Sequence, residues 1–410
     1  MNTLLKVSEQ TIWQIVGKVI TSLSTLFILG FITRTYGEEG TGIFTLALVY
    51  LSFFYLLADL GINAHLVQEL KLYPISFIWP RVLGIRIFWS FVLIMIAPLL
   101  VFIWPNTEAP FQQAVLYGSL AILGTAIFAS CNVLFQSNLK YNLSVFASSL
   151  GAIFTLLLVF LISKFNLNVS IILLAQTSGW LLAALVATIL VKRSIKSITP
   201  VLDFSFGKKI LKEAWPVSLA LLLNLIYFRA DSFIISLNRS FTEVGVYNLA
   251  YQIFQSALVL PTFIMNGLYP LMISQFNQNK KDFNLLLKKS ILIMLGLSVL
   301  GVITTLVFAP LVIQLVGGQN GFTGSTLSLR ILSLGLPAFF VSSVLMWVLV
   351  TMKSYKTMLI TYLVGLSANI ILNLILVPQF SYIASSWITV FSEYLILILQ
   401  LIILFPRLKQ

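Results

Sequence analysis

The sequence predicts an all-α polytopic membrane protein with about twelve transmembrane helices in two six-helix halves. Three observations lead there. Of its 410 residues, 59% are hydrophobic and 9% charged, with a mean hydropathy of +1.01, a composition that excludes a soluble globular domain. Apolar runs of about 20 residues, enough for a helix to cross the hydrocarbon, recur along the whole length, whereas a membrane barrel would show short alternating strands. The basic residues lie mainly in alternate loops, as the positive-inside rule requires.

That placement also disposes of nucleic acid as a reading of the formal charge of +13. With the N-terminus inside, nineteen Lys and Arg fall in cytoplasmic segments, and only Arg34, Lys164, Arg239 and Arg330 lie near the other face. Lys18 and Arg229 remain within the membrane. Both termini are therefore expected in the cytoplasm.

The predicted spans of the first half are 11–33, 42–62, 82–104, 113–135, 143–164 and 170–191. The first lacks an A-x-A cleavage site and contains Lys18, so it reads as a retained helix and not a cleaved signal. Along it Gln14, Lys18, Thr21, Ser22 and Thr25 recur at three- and four-residue intervals, which gathers them on one face. Lys18, about a third of the way across, either attracts a phosphate or snorkels to the surface on its flexible stem. On the second span Tyr55, Asp59 and Asn63 share a face. Asp59 is close enough to the interface to end the helix or pair with a basic loop residue, and a substrate contact is the other reading. Cys131 is the only cysteine and His65, near a helix end, the only histidine. No intramolecular disulfide, metal cluster or nucleophile–base pair can be built from them, and the sequence calls for no cofactor.

A basic linker, 196–213, separates an N-terminal lobe, 1–195, from a C-terminal lobe, 214–410. Over the whole stretch between the halves, 191–215, Lys192, Arg193, Lys196, Lys208, Lys209 and Lys212 make the most basic loop of the chain, interrupted by Pro200 and Gly207. Its charge is expected to fix topology and to touch anionic headgroups.

The second half gives spans at 215–237, 244–272, 290–316, 326–351, 358–377 and 383–405. The first of these carries Arg229 and Asp231 deep in an apolar run, where a charge costs roughly 2.5–3.5 kcal/mol on insertion scales and normally faces a partner or a water-filled cavity. Two residues are about 200° apart on a helix, so the two charges do not pair with each other. Asp231 lies on a polar stripe with Asn224, Tyr227 and Asn238. Arg229 lies among Leu222, Leu225, Phe233 and Ser236 and needs a partner on another helix or a bound anion. Pro261, Pro270 and Pro337 interrupt apolar runs as kinks, while Asn266, Asn369 and Asn373 supply amides that can bond across helices. The loop around 310–326, with Gly317, Gly318, Gly321 and Gly324, is too short for a domain, which counts against a membrane polymerase or glycosyltransferase. On the last span Ser386, Thr389, Glu393 and Gln400 align. Glu393 is either a hydrogen-bonded structural acid or a proton-coupling group.

A shift of 203 residues sets Gly42-Ile43-Phe44 with Ala47 against Gly245-Val246-Tyr247 with Ala250. Six plus six spans fit a parallel repeat about an axis along the membrane normal, with substrate sites between the halves.

At VGVYNLAYQIFQSALVLPTFIMNGLYPLMISQF, through Gly245, Tyr247, Ala250, Pro261 and Pro270, the chain resembles the polysaccharide-transport branch of the multidrug, oligosaccharidyl-lipid and polysaccharide flippase superfamily. TRTYGEEGTGIFTLALVYLSFFYLLADLGINA, LRILSLGLPAFFVSSVLMWVLV and NIILNLILVP agree with it, so the similarity runs from about residue 10 to residue 400. One departure follows NIILNLILVP, where Tyr382, Ile383, Ala384, Ser385 and Ser386 replace the family's Gly-Ala-Ala-like entry into the last helix. The resemblance implies two six-helix lobes around a central cavity that alternates between faces. It implies a Wzx-type flippase, moving undecaprenyl-diphosphate-linked oligosaccharide repeat units of O-antigen, capsule or exopolysaccharide across the bacterial inner membrane. Membrane lipids and the polysaccharide polymerase and chain-length machinery are the partners that follow. Lys18 and Arg229 are then the cations expected in the cleft, with Asn224 and Tyr227 beside them and Arg34 and Arg330 toward the outer mouth; Asp231, Glu393 and Asp59 are candidates for coupling. A MATE-like exporter of small molecules is the alternative, kept open by those same acids, and a repeat-unit polymerase comes third.

Overall fold

The computed structural model describes residues 2–59, 61–63, 66, 74–104, 107–193, 199–318 and 321–409, with the side chains of 2–9, 11, 405 and 407–409 left aside. His65 and Lys196 lie outside the described residues. Within them every regular element is helical: α1 (Asn2–Asp59), α2 (Ile75–Val101), α3 (Ala109–Ser119), α4 (Ala121–Ser137), α5 (Tyr141–Lys164), a 3₁₀ turn (Val169–Ile171) and α6 (Ile172–Lys192) come first. Then follow α7 (Phe204–Asn238), α8 (Phe241–Ala257), α9 (Val259–Gln278), α10 (Lys280–Gly317), α11 (Thr323–Ser333), α12 (Leu336–Thr351) and α13 (Tyr355–Lys409).

The first and last of these are too long for one crossing. At 1.5 Å per residue α1 would run about 87 Å, nearly three times the ~30 Å of hydrocarbon. Its backbone leaves helical geometry at Gly37 (φ 64°, ψ −159°), a left-handed conformation that glycine adopts without a Cβ clash. In α13 the same break falls on Ser381 (φ 54°, ψ −146°). Each therefore supplies two passes. Ala109–Ser137 makes one, as does Phe241–Gln278, and α11 with α12, bent by 44°, makes one more. Among the described residues nine helices, or ten with that bent pair, are long and apolar enough to cross a membrane, and dividing α1 and α13 at their breaks makes twelve segments, at the predicted places. Pro261 and Pro337 sit in the first turns of α9 and α12, directly after breaks, where proline's missing N–H costs no helical hydrogen bond. Pro270 lies inside α9.

By packing, the chain forms two compact units, Met1–Arg229 and Ala230–Gln410. The division falls inside α7 because the first turns of that helix belong to the first unit. Ile210 and Ala214 are buried there with Ile62, Leu66, Ile78, Val82 and Val133. A second cluster joins Trp79, Leu83, Cys131, Leu134, Phe135, Ala147, Ala187 and Val191. In it the lone thiol is fully covered and packs as a small hydrophobe. Helices α5 and α6 touch through glycines: a Cβ on Gly179 would overlap Thr155 Oγ1 and lie 2.7 Å from the Gly151 carbonyl. This is the small-residue contact that lets membrane helices approach closely.

The 203-residue repeat has a counterpart in burial. Ile43, Phe44 and Ala47 are buried in the first unit, as are Val246, Tyr247 and Ala250 in the second. The shift also carries Gly37 onto Ser240, which ends one pass and begins the next. Ser240 does this as half of a capping box with Glu243, each side chain bonding the other's backbone N–H.

Ahead of α7, Asp203 caps the helix. Its Oδ1 accepts from the Phe206 N–H at 3.0 Å and from Ser205 Oγ at 2.7 Å, and Oδ2 lies 3.1 Å from Arg81 Nε. The Phe206 backbone bond first, then Ser205 and Arg81, hold its carboxyl down at about 2. Because that is below the ordinary value near 3.9, this stabilisation is complete above about pH 4 and is lost as the pH falls through about 2. Asp203→Ala is expected to lower the melting temperature at neutral pH, and the difference from wild type should shrink on acidification toward pH 3. A difference that stays constant with pH would contradict the ionic cap.

Candidate functional site

The last turns of α7 bring Asp231 into the second unit, where it is 3% exposed. Tyr247 OH on α8 donates to Oδ2 at 2.6 Å, and Thr389 Oγ1 on α13 donates to the same oxygen at 2.8 Å. Asn373 Nδ2, also on α13, donates to Oδ1 at 3.0 Å. The cluster extends through Asn373, whose Oδ1 accepts from Ser385 Oγ at 2.7 Å and whose Nδ2 reaches Asn369 Oδ1 at 3.1 Å. Asn369 and Asn373 are one helical turn apart before the Ser381 break, while Ser385 and Thr389 are one turn apart after it. Each pass of α13 thus contributes one such pair, and Asn373 from the first and Thr389 from the second reach the carboxylate. Tyr251 stacks on the Tyr247 ring with centroids 5.5 Å apart, and Ser232 donates to Asn248 Oδ1 at 2.6 Å beside it.

Every candidate donor atom in this group is oxygen, apart from amide nitrogen already bonded. Hard cations take oxygen ligands, and the charge available decides which kind. Among the described residues no three His, Cys, Asp or Glu converge. With a single formal negative charge, the cluster suits a proton or a monovalent cation better than a divalent metal.

The rest of the predicted polar stripe does not join it. Asn238 Nδ2 bonds the Ile234 carbonyl of its own helix at 3.0 Å, Tyr227 packs edge-on against Phe228, and Asn224 is exposed. Glu393, one turn beyond Thr389, is 2% exposed. Ser386 turns back to the Tyr382 carbonyl at 2.9 Å.

Among the cations, Lys18 and Arg34 are exposed side chains of α1, and Arg229, at the end of the first unit, is half-buried. Arg330 donates through Nε to the Leu306 carbonyl at 3.1 Å, so one of its five donors serves α10. On the face of Lys18, Thr21 and Thr25 return their hydroxyl hydrogens to the carbonyls of Gly17 and Thr21.

Asp59 has a partner that the sequence reading misplaces. The expectation was a basic loop residue, with Arg86 counted among the cytoplasmic cations. Instead Arg86 lies on α2, fully buried, with NH2 2.7 Å from Asp59 Oδ1 and 2.8 Å from Asn63 Oδ1 and with NH1 3.1 Å from Ser130 Oγ. Two signals pointed to it: Arg86 stands five residues inside the apolar run that begins beyond Arg81, and the Asp59 and Asn63 stripe faced no other cation. Tyr247 likewise carries a signal. The repeat sets it against Phe44, and the one atom that distinguishes the two side chains is the hydroxyl that binds Asp231.

A family model described as polysaccharide biosynthesis protein matches residues 7–276, and a second, MatE, matches residues 216–375. No curated protein matches the chain by sequence. Among solved structures, the lipid II flippase MurJ in an inward closed conformation superposes with a TM-score of 0.79 at 14% identity, over 96% of this chain and 87% of its own. An inward-facing multidrug resistance MATE family transporter of the MOP superfamily gives 0.76 at 14% identity, over 95% and 94%. A MOP superfamily transporter from Pyrococcus furiosus gives 0.63 at 13% identity, over 98% and 95%. At such identities the likeness is one of fold.

Proposed function

Since the chain belongs to the polysaccharide biosynthesis protein family, we propose that it is a flippase, not an enzyme, that carries undecaprenyl-diphosphate-linked oligosaccharide repeat units from the cytoplasmic to the outer leaflet by alternating access. The family match carries this reading. The fold shared with a structure named as a lipid II flippase is compatible with it. A diphosphate and several hydroxyls cannot enter hydrocarbon unaided, so a cationic, polar path is what such cargo needs. Lys18 and Arg229 are assigned to the diphosphate, with Asn224 and Tyr227 near Arg229 and with Arg34 and Arg330 in secondary roles. The membrane is the bacterial inner membrane with both termini in the cytoplasm, and the product is O-antigen, capsule or exopolysaccharide, handed to a polymerase.

Asp231 is assigned to coupling, with Glu393 second. Asp59 is assigned to structure, because its carboxylate is already held by Arg86. The MatE match over residues 216–375 favours a second reading, export of small cationic molecules.

Complementation separates the two. In a strain deleted for this gene, wild type is expected to restore surface polymer, and Lys18→Ala and Arg229→Ala, at wild-type membrane abundance, are expected to restore about a tenth as much or less, the loss of one charge-assisted bond being worth roughly 1.5–3 kcal/mol. Failure of wild type to restore polymer, with a change in drug tolerance instead, would transfer the assignment to an exporter.

A further inference from the structure

The first unit holds a cleft of about 140 Å³ among the first pass of α1, α5 and α6, which none of the roles above uses. Thr21, Ser24, Thr25, Thr155, Gln176 and Trp180 line it, and none of these is charged. Thr21, Thr25 and Thr155 spend their hydroxyl hydrogens on backbone carbonyls at 2.9, 2.9 and 3.0 Å, which leaves their lone pairs as acceptors. The Gln176 amide, the Ser24 hydroxyl and the Trp180 indole N–H make no hydrogen bond among the described residues. Gln176 and Trp180 are half-buried, so these groups face into the cleft without being sealed from its opening. The cleft therefore offers free donors, free acceptors and an aromatic ring, and no formal charge.

This combination offers a metal cation no counter-charge and matches a pyranose, whose hydroxyls alternate donor and acceptor around an apolar C–H face that packs on indole. At 140 Å³ the cleft is well below the ~300 Å³ at which drug-sized pockets begin, so it has room for one ring at most. Lys18 stands three residues before Thr21 and seven before Thr25, on the same face of α1, so its backbone lies about one helical turn from the lining and its long exposed side chain starts there. We infer that this cleft is a sugar subsite, and that it takes the ring next to the phosphate of the lipid-linked saccharide while Lys18 holds the phosphate. The identification of the sugar with the cargo rests on the flippase reading.

The test uses the purified full-length chain, titrated with methyl glycosides of glucose, galactose and N-acetylglucosamine and, separately, with undecaprenyl phosphate. At least one glycoside should change tryptophan emission saturably. Trp180→Phe should abolish that response, and Gln176→Leu should raise the half-saturating concentration about tenfold, the effect of one hydrogen bond left unmade. Undecaprenyl phosphate should bind in a Lys18-dependent manner that Gln176→Leu does not alter. Absence of a saturable response to all three glycosides, which would leave the cleft to water, overturns the inference, as does a response that survives Trp180→Phe. Ala152→Phe, which fills the cleft from its rim, should block glycoside binding if Gln176→Leu does not accumulate. In the deletion strain, polymer restored equally by wild type and Gln176→Leu would remove the cleft from transport and spare the flippase reading. Glycoside binding by a wild-type chain that restores no polymer would do the reverse.

Discussion

Asp231→Asn is expected to yield a folded protein that no longer couples transport to a cation gradient, whereas Asp231→Leu is expected to prevent the second unit from folding. The difference follows from what each substitution does to three donors. Tyr247, Thr389 and Asn373 all point hydrogens at the carboxylate. Leucine leaves the three of them buried and unpaired, at roughly 1–3 kcal/mol each, against a total stability of about 5–15 kcal/mol for a domain. Asparagine keeps the shape and one acceptor, and the two hydroxyls can rotate to accept from its amide. What it cannot keep is the negative charge. In vesicles with an imposed proton or sodium gradient, wild type should respond to one of the two, and Asp231→Asn should transport at the same low rate with and without it. Gradient dependence retained by Asp231→Asn would remove Asp231 from coupling and turn attention to Glu393.

Asp59→Ala should be more damaging than Arg86→Leu, although the two residues form one ion pair. Arg86 is completely covered, while the Asp59 side chain is 22% exposed. Removing the acid strands a guanidinium in a dry site, which costs about 3–5 kcal/mol; removing the arginine leaves a carboxylate that water can reach, at a smaller cost. The double variant Asp59→Ala with Arg86→Leu should recover most of the loss, because apolar replacement of a buried pair is often neutral or better. Membrane abundance and melting in detergent would rank the variants. A double variant no better than Asp59→Ala would mean that Arg86 is held for something other than its charge.

The passes were legible because a bilayer demands about twenty apolar residues wherever a helix crosses it, and no other feature imitates that. Pro261 and Pro337 marked real breaks, since proline cannot donate the bond that would continue the preceding helix. Gly37 was harder to see. Residues 34–41 read as a loop, but they keep helical geometry on both sides of a single left-handed residue. The site was legible in part for a related reason. Asp231, Asn373 and Thr389 stood out individually, being polar in apolar runs, but periodicity along one helix cannot say which other helix will meet it. The stripe logic therefore grouped Asp231 with Asn224 and Tyr227, its neighbours in sequence, and overlooked Tyr247, whose hydroxyl comes from the next pass. Arg86 was lost to the same limit from the opposite side. Its position near Arg81 suited a cytoplasmic cluster, and only packing of α2 against α1 and α4 buries it.

The complete burial of Cys131 makes the natural chain a ready background for labelling chemistry. A membrane-impermeant maleimide has no accessible native thiol to react with, so a cysteine placed at any exposed position would be the sole reporter. Which side of the membrane it reacts from would fix the orientation of each pass, and pairs of such cysteines bearing spin labels would measure distances during transport, all without first stripping the protein of its own sulfur.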